Sequence, residues 1–343
     1  MKRVLFVAVV CLTMATGLGV SALAPGATPA GAALAAGGPS VNPHTSGRGT
    51  SPIAVRTTRI TKKKGPCGTI APFSTAYTHV VWIWMENHSS STIIGSPQAP
   101  YINSLAASCG LAANYHNISH PSLPNYLAGT SGLSLTAIQP FTPDCAPSRS
   151  CSTSAPSLFG QGESWKAYED AMPSNCHTSD AGPYAVRHNP PAYYTTLHGC
   201  SSYDVPFSRL GTDLKSGALP AFSFVTPDVV NDMHDGTVAQ GNAWLAKTVK
   251  KITKSTGYRT GKVVLFVTWD EGEGGSSNNC ATNAADVGCH VATVVVSPST
   301  PAGITSSTLF NHYSLLMTTE QLLGVPLLGS ASTATSMKAA FGL

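Results

Sequence analysis

Acidic residues are scarce in this chain of 343 residues, 16 against 20 Lys and Arg, so their positions carry information. Seven of the sixteen fall in three short segments: Glu86; Asp228, Asp232 and Asp235; Asp270, Glu271 and Glu273. Each segment directly follows an apolar run. Carboxylates brought this close repel one another, and a divalent metal ion is the simplest neutralising partner. Ordinary loop acids are the alternative. The Asp270-Glu271 pair favours function, because it lies between an apolar run and the Gly-rich stretch Gly272 to Gly275, where the chain can turn.

Five motifs hold the candidate chemistry. In Met85-Glu86-Asn87-His88-Ser89, Glu86 and Asn87 offer two oxygen ligands, although a loop hydrogen bond explains Asn87 and His88 as simply. In His120-Pro121-Ser122-Leu123-Pro124-Asn125-Tyr126, Ser122 stands where a helix can begin. A helix start is an anion site, so Ser122 reads as a nucleophile or as an N-cap. Between Thr226 and Gly236, Asp228, Asp232, His234 and Asp235 make a dense oxygen and nitrogen set without the glycine and glutamate spacing of an EF-hand. A structural Asx-turn is the plain reading of Asp228. The fourth motif is Trp269-Asp270-Glu271-Gly272. The fifth, Asn311-His312-Tyr313-Ser314, places a His at the head of the last helical pattern, where capping is its ordinary role.

Apolar runs must position these groups. The runs 79–85, 220–226, 262–269 and 290–296 read as buried strands, nearly continuous in Val, Ile, Phe and Trp as in a parallel sheet covered on both faces. Helical patterns at 100–108, 122–132, 240–253 and 312–323 alternate with them, which predicts an α/β layered domain. In open α/β sheets ligands bind beyond the carboxyl ends of strands, so three acidic segments at three such ends are expected to converge. The polar stretch 137–219, with four cysteines, reads as a disulfide-pinned insertion over one face of the sheet.

The rest of the composition sets the context. Only 10% of residues are charged and 42% are hydrophobic, which argues against coiled coils and against a wholly disordered chain. Met1-Lys2-Arg3, the apolar run Val4 to Met14 and small residues to Ala24 read as a secretory signal peptide, residues 1–24, with cleavage expected between Ala22 and Ala36. The strongly apolar part is short for a membrane span, so no transmembrane anchor is expected after cleavage and the protein is expected to be secreted. Residues 25–72 read as a flexible Ala, Gly, Pro, Ser and Thr-rich leader, and 73–343 as the folded domain. Residues 1–72 hold eight Lys or Arg and no acid, so the domain itself has 12 basic against 16 acidic residues. That balance predicts no nucleic-acid partner, and the domain is expected to be a monomer. Outside the signal peptide there are eight cysteines and no CxxC, which reads as disulfides rather than a thiolate zinc site. Short spans suggest Cys145–Cys151 and Cys280–Cys289, with Cys176–Cys200 and Cys67–Cys109 left over.

Taken in order, the five motifs resemble the phosphoesterase family that groups bacterial acid phosphatases with phosphatidylcholine-type phospholipase C. The resemblance spans about 77–325 and implies an alkaline-phosphatase-like α/β fold, with a mostly parallel central sheet flanked by helices. It also implies hydrolysis of small-molecule or lipid phosphoesters. Carried onto this chain, it makes Glu86, Asn87, Asp270 and Glu271 metal ligands and Ser122 the nucleophile. His312 would lie near the phosphate, and His234 with Asp232 or Asp235 would supplement the site. The implied cofactor is a divalent metal ion, with Ca²⁺, Mg²⁺, Mn²⁺ and Zn²⁺ all compatible with the donor set.

In that reading Ser122 attacks phosphorus in line, Asn125 and the helix start hold the non-bridging oxygens, and His312 or His234 protonates the leaving oxygen. A phospholipase C is the alternative within this chemistry. A metal-free serine esterase lacks its GxSxG elbow here, and a binding module would have no need of Glu86, Ser122 and Asp270 together.

Overall fold

The computed structural model describes residues 65–343, apart from 276, 282 and 284. The segment read as a signal peptide and nearly all of the segment read as a leader therefore lie outside the described residues. Nine strands form one sheet: β1 (His79–Met85), β2 (Gly110–His116), β3 (Trp165–Glu169), β4 (Asp204–Pro206), β5 (Phe222–Thr226), β6 (Val263–Trp269), β7 (His290–Val296), β8 (Ile304–Ser306) and β9 (Phe310–Asn311). Their order is β4-β3-β5-β1-β6-β7-β2-β8, with β9 also beside β2.

The centre of the sheet is the triplet β5-β1-β6, with all three strands parallel and Val80 level with both Phe222 and Val264. Every residue from Val80 to Met85 is fully buried, as burial on both faces of a central parallel strand requires. Because the three strands run the same way, Glu86, the 227–235 segment and Asp270 all leave the same edge. The convergence expected from sequence is thus a direct result of strand direction.

Two helix pairs flank this sheet. Ser122–Ser131 packs with His312–Leu323, and Pro100–Ser108 with Val238–Thr253. The first pair rests on Trp82 and Trp84: Trp82 Nε1 donates to Thr319 Oγ1 at 2.9 Å, and the Trp84 ring lies 5.0 Å from Tyr126 and 4.5 Å from His312. Gly129 permits this approach, since a Cβ there would come within 2.6 Å of Trp84. In the second pair, Asn242 Oδ1 accepts from the amides of Tyr101 and Ile102.

Two expectations are corrected. The 290–296 strand, β7, runs antiparallel to both neighbours. Among its described residues the 270–289 connection holds no crossover helix, and it returns to the sheet on the edge it left, whereas a parallel return would need a crossover. The 137–219 stretch is not merely an insertion over one face, because it supplies β3 and β4, which extend the parallel sheet beyond β5. Lys166 in β3 is accommodated at this side by pairing with Asp213 at 2.5 Å.

The four disulfides are Cys67–Cys109, Cys145–Cys151, Cys176–Cys200 and Cys280–Cys289, the pairs expected from sequence. Cys67 is buried, and the amides of Thr69 and Ile70 donate to Pro298 O, so residues grouped with the leader at 65–72 are joined to the domain. Among the described residues no helix is long and apolar enough to cross a membrane.

Candidate active site

At the carboxyl edge of the β5-β1-β6 triplet the chain turns sharply twice. Asn87 follows β1 at φ +51°, a left-handed conformation that Asn tolerates better than most residues. The turn aims its amide at Asp270 Oδ1, 3.1 Å away. Met233 has φ +87°, and this turn brings the His234 amide to Asp232 Oδ1 at 2.7 Å. The backbone ties the segments together: the Glu86 amide donates to Asp232 O and the Asp270 amide to Met85 O, each at 2.9 Å.

Glu86, Asp232, Asp270 and Glu271 are all buried here. Burial, then the charges of Asp270 and Asp232, push the Glu86 carboxyl well above its ordinary range. Burial first, then Glu271, does the same to Asp270. Burial raises Asp232 against the opposing His234 amide. Glu271 is raised to about 8, by burial and then by Asp144. The donors around the cluster are neutral: Tyr126 Oη donates to Glu86 Oε1, Ser122 Oγ donates to Glu86 Oε2 at 3.1 Å, and Asn125 Nδ2 donates to Glu271 Oε2 at 3.3 Å.

Ser122 is 2% exposed and is the first residue of its helix, with Pro121 in the cap position. Ser122 is therefore not the cap residue, and its hydroxyl is directed at Glu86. The helix start is partly claimed by a protein carboxylate, because the Leu123 amide donates to Asp144 Oδ1 at 2.9 Å and Pro124 has no amide hydrogen to offer.

The remaining candidates separate into near and far. Asn125 is beside the cluster, but its amide is fully engaged. Oδ1 accepts from Ile118 and Ser119, and Nδ2 donates to Ser119 O and Pro121 O as well as to Glu271. It shapes the 118–121 loop rather than presenting a free donor. His312 is fully buried behind the site, with Nε2 2.7 Å from Asp270 O and Nδ1 3.1 Å from Tyr115 Oη. Burial lowers its pKa to about 4 and keeps the ring neutral. Both of its nitrogens are committed, so it positions the Asp270 turn and is not available as a proton donor. His234 stands at the rim, 3.1 Å from Arg187 Nη2 and 2.7 Å from Asp235 Oδ1. Asp235 points to solvent with a side chain 62% exposed and does not join the carboxylate cluster. Asp228 is the Asx-turn expected of it, accepting from the amides of Val230 and Asn231.

Sequence reasoning missed four participants. His188 lies buried between Glu86 and Asp232, with Nε2 3.4 Å from Glu86 Oε1 and Nδ1 3.3 Å from Asp232 Oδ2. Burial holds its pKa well below the usual range. His120 Nδ1 sits 2.9 Å from Glu271 Oε2. Arg187 and Asp144 line a rim cavity of about 370 Å³ with Asp180 and His234. The signal available for two of them was the Arg187-His188-Asn189 run before two prolines, an isolated concentration of donors in a polar stretch.

The donor set fits a cation. Neither ring nitrogen of His188 has a hydrogen-bond partner at proper geometry, nor do Asp232 Oδ2 and Asp270 Oδ2, although all are buried. Buried polar atoms without partners are rare, and a bound ion is one way to satisfy them. Glu86, His188 and His234 each offer a ligand atom, all within 4.8 Å of one another. A second group, His120 with Cys280 and Cys289, is excluded because its sulfurs form a disulfide.

Comparison with known proteins agrees with this arrangement. A model of the phosphoesterase family matches residues 95–326. The chain belongs to the phosphoesterase family. Phosphatidylinositol-3-phosphatase of Mycobacterium tuberculosis is 34% identical over 263 residues, covering 75% of this chain and 81% of that protein. The phosphate-repressible acid phosphatase of Penicillium chrysogenum is 27% identical over 74% of this chain and 61% of its own length. Among solved structures, an alkaline phosphatase superfamily protein from Vibrio parahaemolyticus superposes with a TM-score of 0.50 at 14% identity, over 77% of this chain and 71% of that one. The phosphonate monoester hydrolase of Silicibacter pomeroyi superposes with a TM-score of 0.51 at 9% identity, over 77% and 76%. The fold is thus alkaline-phosphatase-like, as the motif resemblance implied, and this phosphoesterase is a hydrolase of phosphoric esters.

Proposed function

We propose that this phosphoesterase hydrolyses phosphomonoesters through a phosphorylated Ser122, at a centre where Glu86, Asn87, Asp270 and Glu271, supplemented by Asp232 and His188, hold a divalent metal ion. The observation that carries the reading is the Ser122 hydroxyl, buried at a helix start and 3.1 Å from Glu86 within a cluster of four carboxylates. A bound divalent ion supplies positive charge that favours the ionised serine oxygen and offsets charge on the phosphoryl group.

Ser122 Oγ loses its proton to water and attacks phosphorus, and the bond from phosphorus to the ester oxygen breaks as that oxygen leaves with its organic group. Water then cleaves the phosphoserine, releasing phosphate and restoring the hydroxyl, with net retention at phosphorus. Glu86 and Tyr126 fix the serine's approach. His234, at the rim with Nδ1 on Asp235 and Nε2 on Arg187, steadies Arg187, and the leaving oxygen takes its proton from water. His188 is held neutral by burial and suits a ligand's role. Arg187 at the cavity mouth meets the non-bridging oxygens.

The polar lining of the rim cavity supports a hydrophilic leaving group over acyl chains, which favours a phosphomonoesterase over the phospholipase C alternative. The 34% identical relative is named as a phosphatase of a phosphorylated inositol lipid, so phosphorylated polyols, free or lipid-borne, lead the substrate list. Four disulfides support export, with the 1–24 segment removed as a signal peptide.

The test is Ser122→Ala assayed with p-nitrophenyl phosphate and p-nitrophenyl acetate. Loss of phosphatase turnover with retained fold and retained metal content is expected. Near-wild-type turnover by the variant, or esterase activity alone in the wild type, refutes the reading.

A further inference from the structure

The two edges of the parallel sheet differ in charge. Carboxylates gather where β5, β1 and β6 end, and cations gather where they begin. Eight of the domain's 12 Lys and Arg lie between residues 209 and 262: Arg209, Lys215, Lys247, Lys250, Lys251, Lys254, Arg259 and Lys262. All eight are exposed. None has a carboxylate within 4 Å, since Lys166 and Arg187 are the basic side chains that make ion pairs among the described residues. The domain's net balance conceals this clustering.

Topology places the cluster. Lys247, Lys250, Lys251 and Lys254 recur at spacings of three and four, which puts them on one side of the Val238–Thr253 helix and its C-cap. That helix begins beside the candidate site and runs about 24 Å to the start of β6. Lys215 ends the Ser208–Ser216 helix, which likewise returns the chain toward the start of β5. The two helices meet in a cavity of about 390 Å³ lined by Lys215, Lys251, Lys254, Leu214 and Ser255. Lys250 and Lys251 lie over the rings of Tyr101 and Phe207, at 5.3 and 5.5 Å, which anchors their stems. Tyr258, at the same edge, donates to Pro66 O at 3.1 Å. Like charges spaced this way on a helix repel and gain from an anionic partner.

We infer that this edge is a docking surface for a flexible polyanion, a polymer carrying repeated phosphate, sulfate or carboxylate groups. A polymer strand fits better than a bilayer for two reasons. Lys215, Lys251 and Lys254 line a concave groove between two helices, and none of the exposed large apolar side chains, Phe73, Tyr203, Val230, Val287, Leu309 and Leu327, belongs to either helix. A polyanion held here leaves the carboxylate edge free, so a tethered enzyme still meets diffusing substrate.

The experiment measures binding of the full chain to dextran sulfate, a polyanion with no phosphoester, against free sulfate ion. Tight binding of the polymer is expected, falling steeply between about 50 and about 200 mM salt, with no comparable binding of free sulfate. Charge reversal at Lys251→Glu with Lys254→Glu should weaken polymer binding at least about tenfold, with p-nitrophenyl phosphate turnover and melting temperature unchanged. Lys247→Glu with Lys250→Glu, on the same side of the helix, should do the same. No binding at low salt, or wild-type binding by both double variants, overturns the inference. Retention on phosphatidylcholine and phosphatidylglycerol vesicles without binding of dextran sulfate also overturns it, because the partner would then be a bilayer.

Discussion

Removing divalent metal should destabilise this protein, and by more at alkaline than at acid pH. Glu86, Asp232, Asp270 and Glu271 are buried with only neutral donors among their partners, and two unit charges 4 Å apart interact by about 4 kcal/mol at an effective dielectric near 20. Without a cation, the folded state must keep these groups protonated. Their folded pKa values are raised, Glu271 to about 8, above unfolded values near 4. Between those limits the ligand-free native state binds more protons than the unfolded chain, so its stability falls as pH rises. A metal present at about 100 times its dissociation constant adds about 2.7 kcal/mol, and each kcal/mol moves the melting temperature of a domain this size by about 2–4 °C. Chelation should therefore lower Tm by about 5–10 °C near pH 8, and by less near pH 5 where protonation competes with metal. Differential scanning calorimetry with and without chelator at both pH values reads the effect. Equal Tm values at pH 8, or a larger loss at pH 5, would refute the reasoning.

Three further outcomes follow from the geometry. His312→Ala, which removes the partner of the Asp270 carbonyl, should lower kcat about 10- to 100-fold without moving either limb of the pH–rate profile, and a lost limb would make His312 an acid after all. Gly129→Ala drives a Cβ to within 2.6 Å of Trp84 and should cost about 1–3 kcal/mol, read by urea unfolding, with kcat falling as the Ser122 helix shifts. Replacing Cys67 and Cys109 by Ser opens a closure spanning 42 residues and should cost about 2–4 kcal/mol in chemical denaturation, with turnover at 25 °C nearly unchanged; an equal loss of activity would tie the 65–72 segment to the site.

Much of this arrangement was legible in the chain because its local and long-range signals agree. The runs 79–85 and 290–296 are strands with those limits, and 100–108 and 312–323 are helices with theirs. Acids following parallel strands converge for a topological reason, so Glu86, Asp232, Asp270 and Glu271 were found together without knowledge of side-chain direction. Strand direction itself was not encoded in composition, and the β7 sequence is as apolar and β-branched as the parallel strands β1 and β6. The missing helix between 270 and 289 was the available clue. Lys166 and Glu169 hid β3, since Lys166 is paired with the distant Asp213 and the buried Glu169 accepts a hydrogen bond from Thr226. His188, Arg187 and Asp144 come from the polar region whose path depends on two disulfides and on contacts far apart in sequence. His312 lies against the Asp270 carbonyl, and what it does there depends on ring orientation, which spacing does not specify.

The phosphoserine is the step on which the account rests. The purified enzyme, mixed rapidly with p-nitrophenyl phosphate and quenched in acid, should carry one phosphoryl group on the peptide that contains Ser122, and the trapped fraction should vanish in Ser122→Ala. Turnover of a chiral phosphomonoester should proceed with retention at phosphorus, as two successive displacements require. An unphosphorylated Ser122 under turnover, together with inversion at phosphorus, would show that water attacks the ester directly and would contradict the central claim.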